Sequence, residues 1–206
     1  MARLNVNPTR MELKKLKARL STATRGHKLL KDKSDEMIRQ FSIIIKENKK
    51  LRDEVEKELS ETLRQFSIAR SVTPAYSAEA AFAMPSVSVT VDCKVGSVMG
   101  VEVPSMSLQS QKRSDGLPYA YSEITSEADY SVTKASQLLP KMVKLAEVEK
   151  TVRLLADEIE RNKRRVNALE YIMIPQLQET IKYITSKLDE NERAAVVRLM
   201  KVKNKQ

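Results

Sequence analysis

The feature that most constrains this chain is a series of apolar residues that recurs at alternating spacings of three and four. It lies within residues 8–71, where no proline follows Pro8 and the one glycine is Gly26. These spacings place the side chains on one stripe of an α-helix, the heptad seam of a coiled coil. A helix of about 64 residues would be roughly 95 Å long at 1.5 Å per residue. The seam residues are Leu13, Leu16, Leu20, Ala23, His27, Leu30, Ser34, Met37, Phe41, Ile44, Asn48, Leu51 and Val55.

The ends of this helix are predicted from local residue chemistry. Asn7 followed by Pro8 is typical of a helix start, with Asn as the cap and Pro in the first turn. Beyond the seam, Leu59, Leu63 and Phe66 follow at spacings of four, four and three. We expect this change of period to relax the left-handed supercoil.

A second seam predicts another long helix in the C-terminal part of the chain. Ser126 with Asp129 is a possible cap pair for it, while Pro140 either kinks this helix or marks its start. Pro175 should loosen the helix locally. The seam residues are Leu145, Val148, Val152, Leu155, Ile159, Asn162, Val166, Leu169, Met173, Leu177, Ile181, Ile184 and Leu188.

The segment between the two helices has a different composition. Residues 72–124 contain four prolines and three glycines, and the runs 86–92 and 97–103 alternate valine with other residues. We predict a β-hairpin at about 86–103 with its turn at Cys93–Gly96, followed by a loop over Ser105–Tyr121. The predicted organisation is a shaft helix (1–71), a cap (72–124) and a second shaft helix (125–206).

The composition supports a mainly α fold, a long antiparallel two-helix coiled coil with a small cap. Aromatic residues make up 4% of the chain and Trp is absent, as expected if Leu, Ile, Val, Met and Ala fill a seam. Charged residues make up 31% and hydrophobic residues 41%, which suits an extended helical surface and excludes a disordered chain. Two helices joined by about fifty residues fold back most simply as an antiparallel pair.

The register of this pair is predicted from one polar residue in each seam. If Asn48 faces Asn162, Leu51 meets Ile159 and Phe41 meets Leu169. A buried Asn pair fixes one alignment of a coiled coil at some cost in stability.

The sequence offers no catalytic, cofactor-binding or metal-binding constellation. His27, the one histidine, lies on the seam and is interpreted as structural, and Cys93 lacks a second Cys for a disulfide. No Gly-Lys-Ser/Thr phosphate loop occurs, and acidic residues such as Glu54 and Glu58 alternate with basic ones on helix surfaces. Residues 1–7 contain no apolar run, so we expect no secretory signal, and no apolar stretch of the sequence is long enough to predict a membrane span.

The net charge of +10 is unevenly distributed. Residues 1–33 contain ten Lys and Arg but two acids, whereas residues 73–137 contain four basic residues and seven acids. Residues 193–206 contain five basic residues and no acid. Basic ends indicate either a solvated helix surface or an acidic partner. Nucleic acid is disfavoured because aromatic stacking residues are missing, and a membrane surface because Trp and Phe are absent from residues 1–40.

Long strings of this sequence resemble the D subunit of V-type and archaeal A-type rotary ATPases, the axle of the central stalk. The resemblance covers nearly the whole chain and is weakest between about residues 74 and 130. The strings that carry it are Asn7–Arg10, Thr22–Lys33, Leu138–Lys141, Leu145–Lys150, Arg164–Tyr171, Ile174–Leu177 and Asp189–Arg193.

The resemblance implies a rotor shaft that has no catalytic site or cofactor of its own. In this family the helix ends insert into the hexamer of catalytic and non-catalytic subunits. The cap end docks the small F subunit of the stalk and a funnel-shaped subunit on the membrane ring. The implied location is the cytoplasmic face of a membrane, without direct insertion. A stand-alone coiled-coil scaffold or adaptor is the alternative that periodicity supports equally well.

Residues for these contacts are assigned from charge and position. We expect the basic end to meet acidic groups inside the hexamer. The residues expected there are Arg10, Lys14, Lys17, Arg25, Arg193, Arg198, Lys201 and Lys203. The small F subunit is expected to lie beside Leu51, Val55, Leu59, Val148, Val152 and Leu155. The Val-rich hairpin would also need a cover, because an exposed apolar strand edge promotes aggregation.

Overall fold

A computed structural model describes residues 3–83, 87–112, 119 and 124–204. The chain forms helix α1 (Arg10–Val72), helix α2 (Ala75–Phe82), strands β1 (Val87–Val98) and β2 (Val101–Lys112), and helix α3 (Ser126–Ala168). A π-helical turn (Leu169–Met173) leads directly into helix α4 (Ile174–Lys203). Two very long helical segments with one two-stranded antiparallel hairpin confirm the predicted mainly α fold class.

The chain divides into two compact units, which we name by their place in the sequence. The terminal unit consists of Met1–Ile38 and Ile159–Gln206, and the central unit consists of Arg39–Glu158. Both long helical segments pass through both units.

The terminal unit is built from antiparallel helices held by a leucine- and isoleucine-rich core. Leu16, Leu177 and Ile184 are buried together. Further along the same pair, the His27 ring nitrogen lies 3.3 Å from a Glu170 carboxylate oxygen. Partly buried residues from both helices complete the cluster. They are Leu13, Leu20, Ala23, Ile181 and Leu188.

The seam predicted for α1 is the side of the helix that the structure buries, as far as Val55. All thirteen predicted positions from Leu13 to Val55 are buried or half-buried. The predicted change of period after Val55 is wrong. Leu63 is 55% exposed, and Thr62 is buried instead. Thr62 can occupy an apolar seam because its hydroxyl donates a 2.7 Å hydrogen bond to the Glu58 carbonyl within the helix.

The register differs from the one predicted from the two asparagines. In the terminal unit, the Asn162 side-chain amide lies 3.4 Å from the Met37 sulfur. Met37 lies eleven residues, about three helical turns, before Asn48. A slide of three turns keeps the same face toward the neighbouring helix, so the seam pattern alone could not distinguish the two registers.

Helix starts also depart from the predictions in detail. Thr9, and not Asn7, caps α1, because its hydroxyl accepts a 3.2 Å hydrogen bond from the Glu12 amide. Helix α3 begins at Ser126 and runs through Pro140. The Ser126 hydroxyl contacts the neighbouring Glu127 carboxylate, and Asp129 accepts a hydrogen bond from Tyr119. The predicted Ser126–Asp129 cap pair is therefore not formed.

The π-helical turn before α4 has a chemical cause in Pro175. Proline has no amide hydrogen, and its ring would clash with the carbonyl four residues earlier in a regular α-helix. The chain widens instead, and the Ile174 amide donates to the Leu169 carbonyl five residues back. One extra residue enters the turn. Met173, predicted for the seam, is therefore exposed, while Leu177 is buried.

The central unit contains α2, a short helix that the sequence pattern does not predict. Its alanines, Ala78 and Ala81, are buried. Phe82 at its end makes edge-on ring contacts with Phe66 at 5.4 Å and with Tyr119 at 5.6 Å. The Tyr119 hydroxyl donates a 2.8 Å hydrogen bond to Asp129. Small buried side chains and this aromatic row hold the central unit together.

The hairpin is longer than predicted, and its turn is elsewhere. The strands pair from Val87 with Lys112 to Val98 with Val101. The predicted loop over Ser105–Tyr121 is therefore a strand up to Lys112, and the rest of it, apart from Tyr119, lies outside the described residues. The turn falls at Met99 and Gly100, whose φ angles are 55° and 82°. A two-residue turn with positive φ at both positions matches the right-handed twist of hairpin strands, which the predicted turn at Cys93–Gly96 overlooked.

Candidate partner-binding surfaces

The eight basic residues expected to meet an acidic partner all lie in the terminal unit, and all are exposed. Arg10 forms an ion pair with Glu192. Arg25 donates a 3.0 Å hydrogen bond to the Ser21 hydroxyl. Within the described residues, the other six form no ion pair, so their charges face solvent. These six are Lys14, Lys17, Arg193, Arg198, Lys201 and Lys203.

The end of α4 presents apolar side chains beside these charges. Every residue from Asp189 to Asn204 is exposed. Residues 193–204 contain four basic residues and no acid. The exposed apolar residues at this end are Val196, Val197, Leu199, Met200 and Val202. The charge of this end is predictable from the sequence, and the absence of a seam after Leu188 is the signal for these exposed apolar side chains.

A local ion pair lies just before this end, on the surface of α4. The Lys187 ammonium lies 2.8 Å from a Glu190 carboxylate oxygen. The hydrogen bond and the charge of Glu190 raise the pKa of Lys187, and Lys187 lowers the pKa of Glu190 for the same reasons. Both groups are therefore held in their charged forms.

No group of three or more His, Cys, Asp or Glu side chains in the described ranges could hold a metal ion. His27 is partly buried, and its ring nitrogen lies beside the Glu170 carboxylate. Across the same ranges, no helix is both long and apolar enough to cross a membrane.

The six residues expected beside the small F subunit lie mainly inside the central unit. Val55 and Leu155 are buried, and the other four are half-buried. Side chains in this position hold helices together and offer little area to a partner. Ion pairs also join α1 to α3 at the edge of the seam: Arg52 lies 3.0 Å from Glu149, and Lys141 pairs with Glu58.

An apolar groove in the same unit is better exposed. It has a volume of about 450 Å³ and is lined almost entirely by carbon atoms. Leu63, Leu139 and Met142 are exposed at this groove. The groove is not evident from the sequence, because Phe82 of the unpredicted helix α2 forms part of its wall. The other lining residues are Leu59, Thr62, Phe66, Ser131, Val132, Ala135 and Leu138.

The hairpin carries a second apolar surface. Paired residues in an antiparallel hairpin share a face. Val91, Cys93 and Val95 of β1 are exposed, and they oppose Leu108, Met106 and Pro104 of β2. We call these six residues the apolar face. The opposite face is polar along much of its length, where Gln109 donates a 2.6 Å hydrogen bond to Asp92.

Comparison with known proteins gives one consistent result. The family model for the D subunit of ATP synthase matches residues 12–204. The V-type ATP synthase D subunit of Clostridium novyi (strain NT) is 52% identical over 206 residues, covering 98% of this chain and 95% of the relative. The V-type ATP synthase D subunit of Clostridium botulinum (strain Alaska E43 / Type E3) is 53% identical over 207 residues, covering 99% and 97%.

A relative from a second genus is similar to the same extent. The V-type ATP synthase D subunit of Thermoanaerobacter sp. (strain X514) is 49% identical over 203 residues, covering 98% of this chain and 97% of the relative. Similarity of this extent includes both long helical segments and the hairpin between them. The chain therefore belongs to the ATP synthase D-subunit family.

Proposed function

We propose that this chain is the central shaft of a V-type ATPase or ATP synthase. In this role it transmits torque between the ATP-hydrolysing hexamer and the membrane ring that moves ions. The chemistry belongs to the hexamer, and this chain contributes no catalytic residue. Its place is the cytoplasmic face of the membrane, within a peripheral complex.

The observation that carries the proposal is the exposed basic surface of the terminal unit. Six of its basic side chains lack an ion-pair partner among the described residues, and the end of α4 adds exposed apolar side chains. Diffuse positive charge attracts an acidic wall over several ångströms and is weakly directional. Contacts of this kind bias the orientation of a rotating part without locking it.

Two other partners are proposed for the central unit. The apolar groove suits the small F subunit better than the buried seam does, because Leu63 and Met142 present accessible area. The funnel-shaped subunit would hold the cap end above the membrane ring. In this proposal, the small F subunit lies beside residues 51–59 and 148–155. It contacts this chain at the exposed apolar groove.

The proposal is tested by purifying the tagged chain from its own detergent-solubilised membranes. We expect recovery of an ATP-hydrolysing complex with one copy of this chain per hexamer. A bead attached to the chain should rotate when ATP is added. Recovery of the chain alone, or with unrelated proteins and no ATPase activity, would contradict the shaft function and favour the coiled-coil adaptor.

A further inference from the structure

The residues that precede α1 make specific contacts with α4 in the terminal unit. We call residues 3–8 the strap; they belong to no helix or strand. The Leu4 amide donates a 3.2 Å hydrogen bond to the Thr180 hydroxyl. The Arg3 guanidinium carbon lies 4.6 Å from the centre of the Tyr183 ring, a cation–π contact. The strap is therefore held by backbone and side-chain groups on one side of α4.

The strap lies along α4 in an extended conformation. At its far end Arg10, the first residue of α1, pairs with Glu192. Thr180 and Glu192 are twelve residues apart in α4, a distance of about 18 Å along the helix axis. Six residues of chain, from Leu4 to Arg10, cover this distance at about 3 Å per residue, which is close to full extension. The strap therefore follows α4 for about three turns.

The direction of the strap is set by the turn that joins it to α1. The Thr9 amide donates a 2.9 Å hydrogen bond to the Asn7 carbonyl, across Pro8. A hydrogen bond between residues two apart closes a γ-turn, and the fixed φ of proline suits the central position of that turn. The chain reverses here, so the strap is antiparallel to α1 and parallel to α4.

The strap covers a part of the terminal unit that lies beside the predicted seam. Thr180 is 1% exposed, although the predicted seam position is its neighbour Ile181. Leu4 forms one wall of an apolar groove of about 630 Å³, and the other walls include Ala18 of α1 and Leu177 of α4. The strap thus closes one side of a groove between the two helices.

We propose that the strap is a latch, which opens and closes on the terminal unit while the helices beneath it stay folded. Besides the Leu4 hydrogen bond and the cation–π contact, the described contacts of Arg3 include a 4.0 Å ion pair with Glu179, in which both side chains are about half-exposed. Single hydrogen bonds and exposed ion pairs each add little stability. Opening uncovers the apolar groove and exposes the Leu4 amide to water. The inference goes beyond the shaft function and does not depend on it, because every contact lies within this chain.

Residue-resolved hydrogen exchange of the full chain tests the latch directly. We expect the Leu4 amide to exchange roughly ten- to a hundred-fold more slowly than in an unstructured peptide, and far faster than the Ile184 amide of the core. Exchange of Leu4 at the unstructured rate would mean that the strap is not bound. Exchange as slow as that of Ile184 would mean that the strap opens only when the helices unfold. Either result would overturn the inference.

A matched pair of threonine variants isolates the contact that closes the latch. The hydroxyls of Thr180 and Thr185 both donate to the carbonyl four residues earlier in α4, at 2.7 Å and 2.9 Å. The Thr180 hydroxyl also accepts the hydrogen bond from the Leu4 amide. Thr180→Val should therefore speed exchange of the Leu4 amide by at least roughly five-fold, whereas Thr185→Val should change it by less than about two-fold.

The fold of each variant is checked by its helical circular dichroism signal, which should match that of the parent chain. With the helices intact, faster exchange of Leu4 in Thr180→Val alone supports the latch. Equal exchange of Leu4 in the two variants would overturn it. Because these measurements use the isolated chain, their failure would leave the shaft function untouched.

Discussion

The side-chain amide of Asn162 lies 3.4 Å from the sulfur of Met37, and both side chains are buried in the terminal unit. A thioether is a weak hydrogen-bond acceptor, so the amide gains little for the water it loses. Leucine at position 162 would fill the same seam without that loss. We expect Asn162→Leu to raise the free energy of unfolding by about 1 kcal/mol in urea denaturation.

Asn48→Leu provides the matched comparison. The Asn48 side-chain oxygen is buried without a hydrogen-bond partner among the described residues. This substitution should also stabilise the chain, by about 1 kcal/mol. A decrease in stability in both variants would mean that the two amides are satisfied in solution. Disulfide cross-linking between introduced cysteines would then test whether the register had changed.

Truncation of the terminal core should be strongly destabilising. Leu16 is 2% exposed and packs against Leu177 and Ile184. Leu16→Ala removes buried methyl groups and leaves a cavity, so we expect a loss of about 3 kcal/mol. Leu29→Ala in the same helix is the control, because Leu29 is 70% exposed and should lose less than about 0.5 kcal/mol. Similar losses in both variants would contradict this core assignment.

The hairpin turn can be improved at one position and damaged at the next. Met99 has a φ of 55°, which a residue with a side chain rarely adopts. Met99→Gly should stabilise the hairpin by about 0.5 kcal/mol, measured by hydrogen exchange of the amides that donate to the partner strand. Gly100→Ala, at a φ of 82°, should destabilise it by about 1 kcal/mol. Opposite signs would indicate a different turn in solution.

The ion pair on α4 predicts a pH dependence with a definite sign. Lys187 lowers the pKa of Glu190 below its ordinary value of 4.5, so the folded state favours the charged carboxylate. This contribution to stability is present above pH 4.5 and is lost as the pH falls through the lower folded-state pKa. In an NMR titration, Lys187→Ala should raise the pKa of Glu190 toward 4.5. An unchanged pKa would exclude this ion pair in solution.

Reversal of charge at the end of α4 tests the proposed acidic partner. Lys201→Glu with Lys203→Glu should weaken assembly with the ATPase hexamer by roughly ten-fold at low salt. The difference should shrink at high salt, because ions screen exposed charges. Lys49→Glu with Lys50→Glu makes the same change in net charge in the central unit. Equal effects of the two double variants would remove any special role for the chain end.

The sequence predicted much of the fold because a seam depends on local spacing. Every predicted seam position from Leu13 to Val55 is buried or half-buried. The register could not be predicted in the same way, because a slide of three turns preserves the faces that meet. The burial of Thr62 in place of Leu63 was equally hard to predict. A threonine hydroxyl bonded to its own helix behaves as an apolar side chain, and composition does not reveal that bond.

The candidate surfaces were less predictable, since they depend on residues far apart in the chain. The basic side chains of the terminal unit could be chosen from charge alone. The apolar groove combines α1 and α3 with Phe82 of α2, a helix too short and alanine-rich to show a seam. The pairing of residues across the hairpin could be predicted only once the position of the turn was known. A shift of that turn by one residue would exchange the amides that face the partner strand with those that face away from it.

The π-helical turn at Leu169–Met173 also determines how the chain tolerates changes in length. It holds one residue more than an α-helix of the same seam spacing, so Leu169 and Leu177 face the same side although eight residues separate them. Deleting one residue there, together with replacing Pro175, would leave the later seam in phase. The same deletion after Ile181 would rotate every following side chain by about 100°. Length variants in this family should therefore concentrate at this turn.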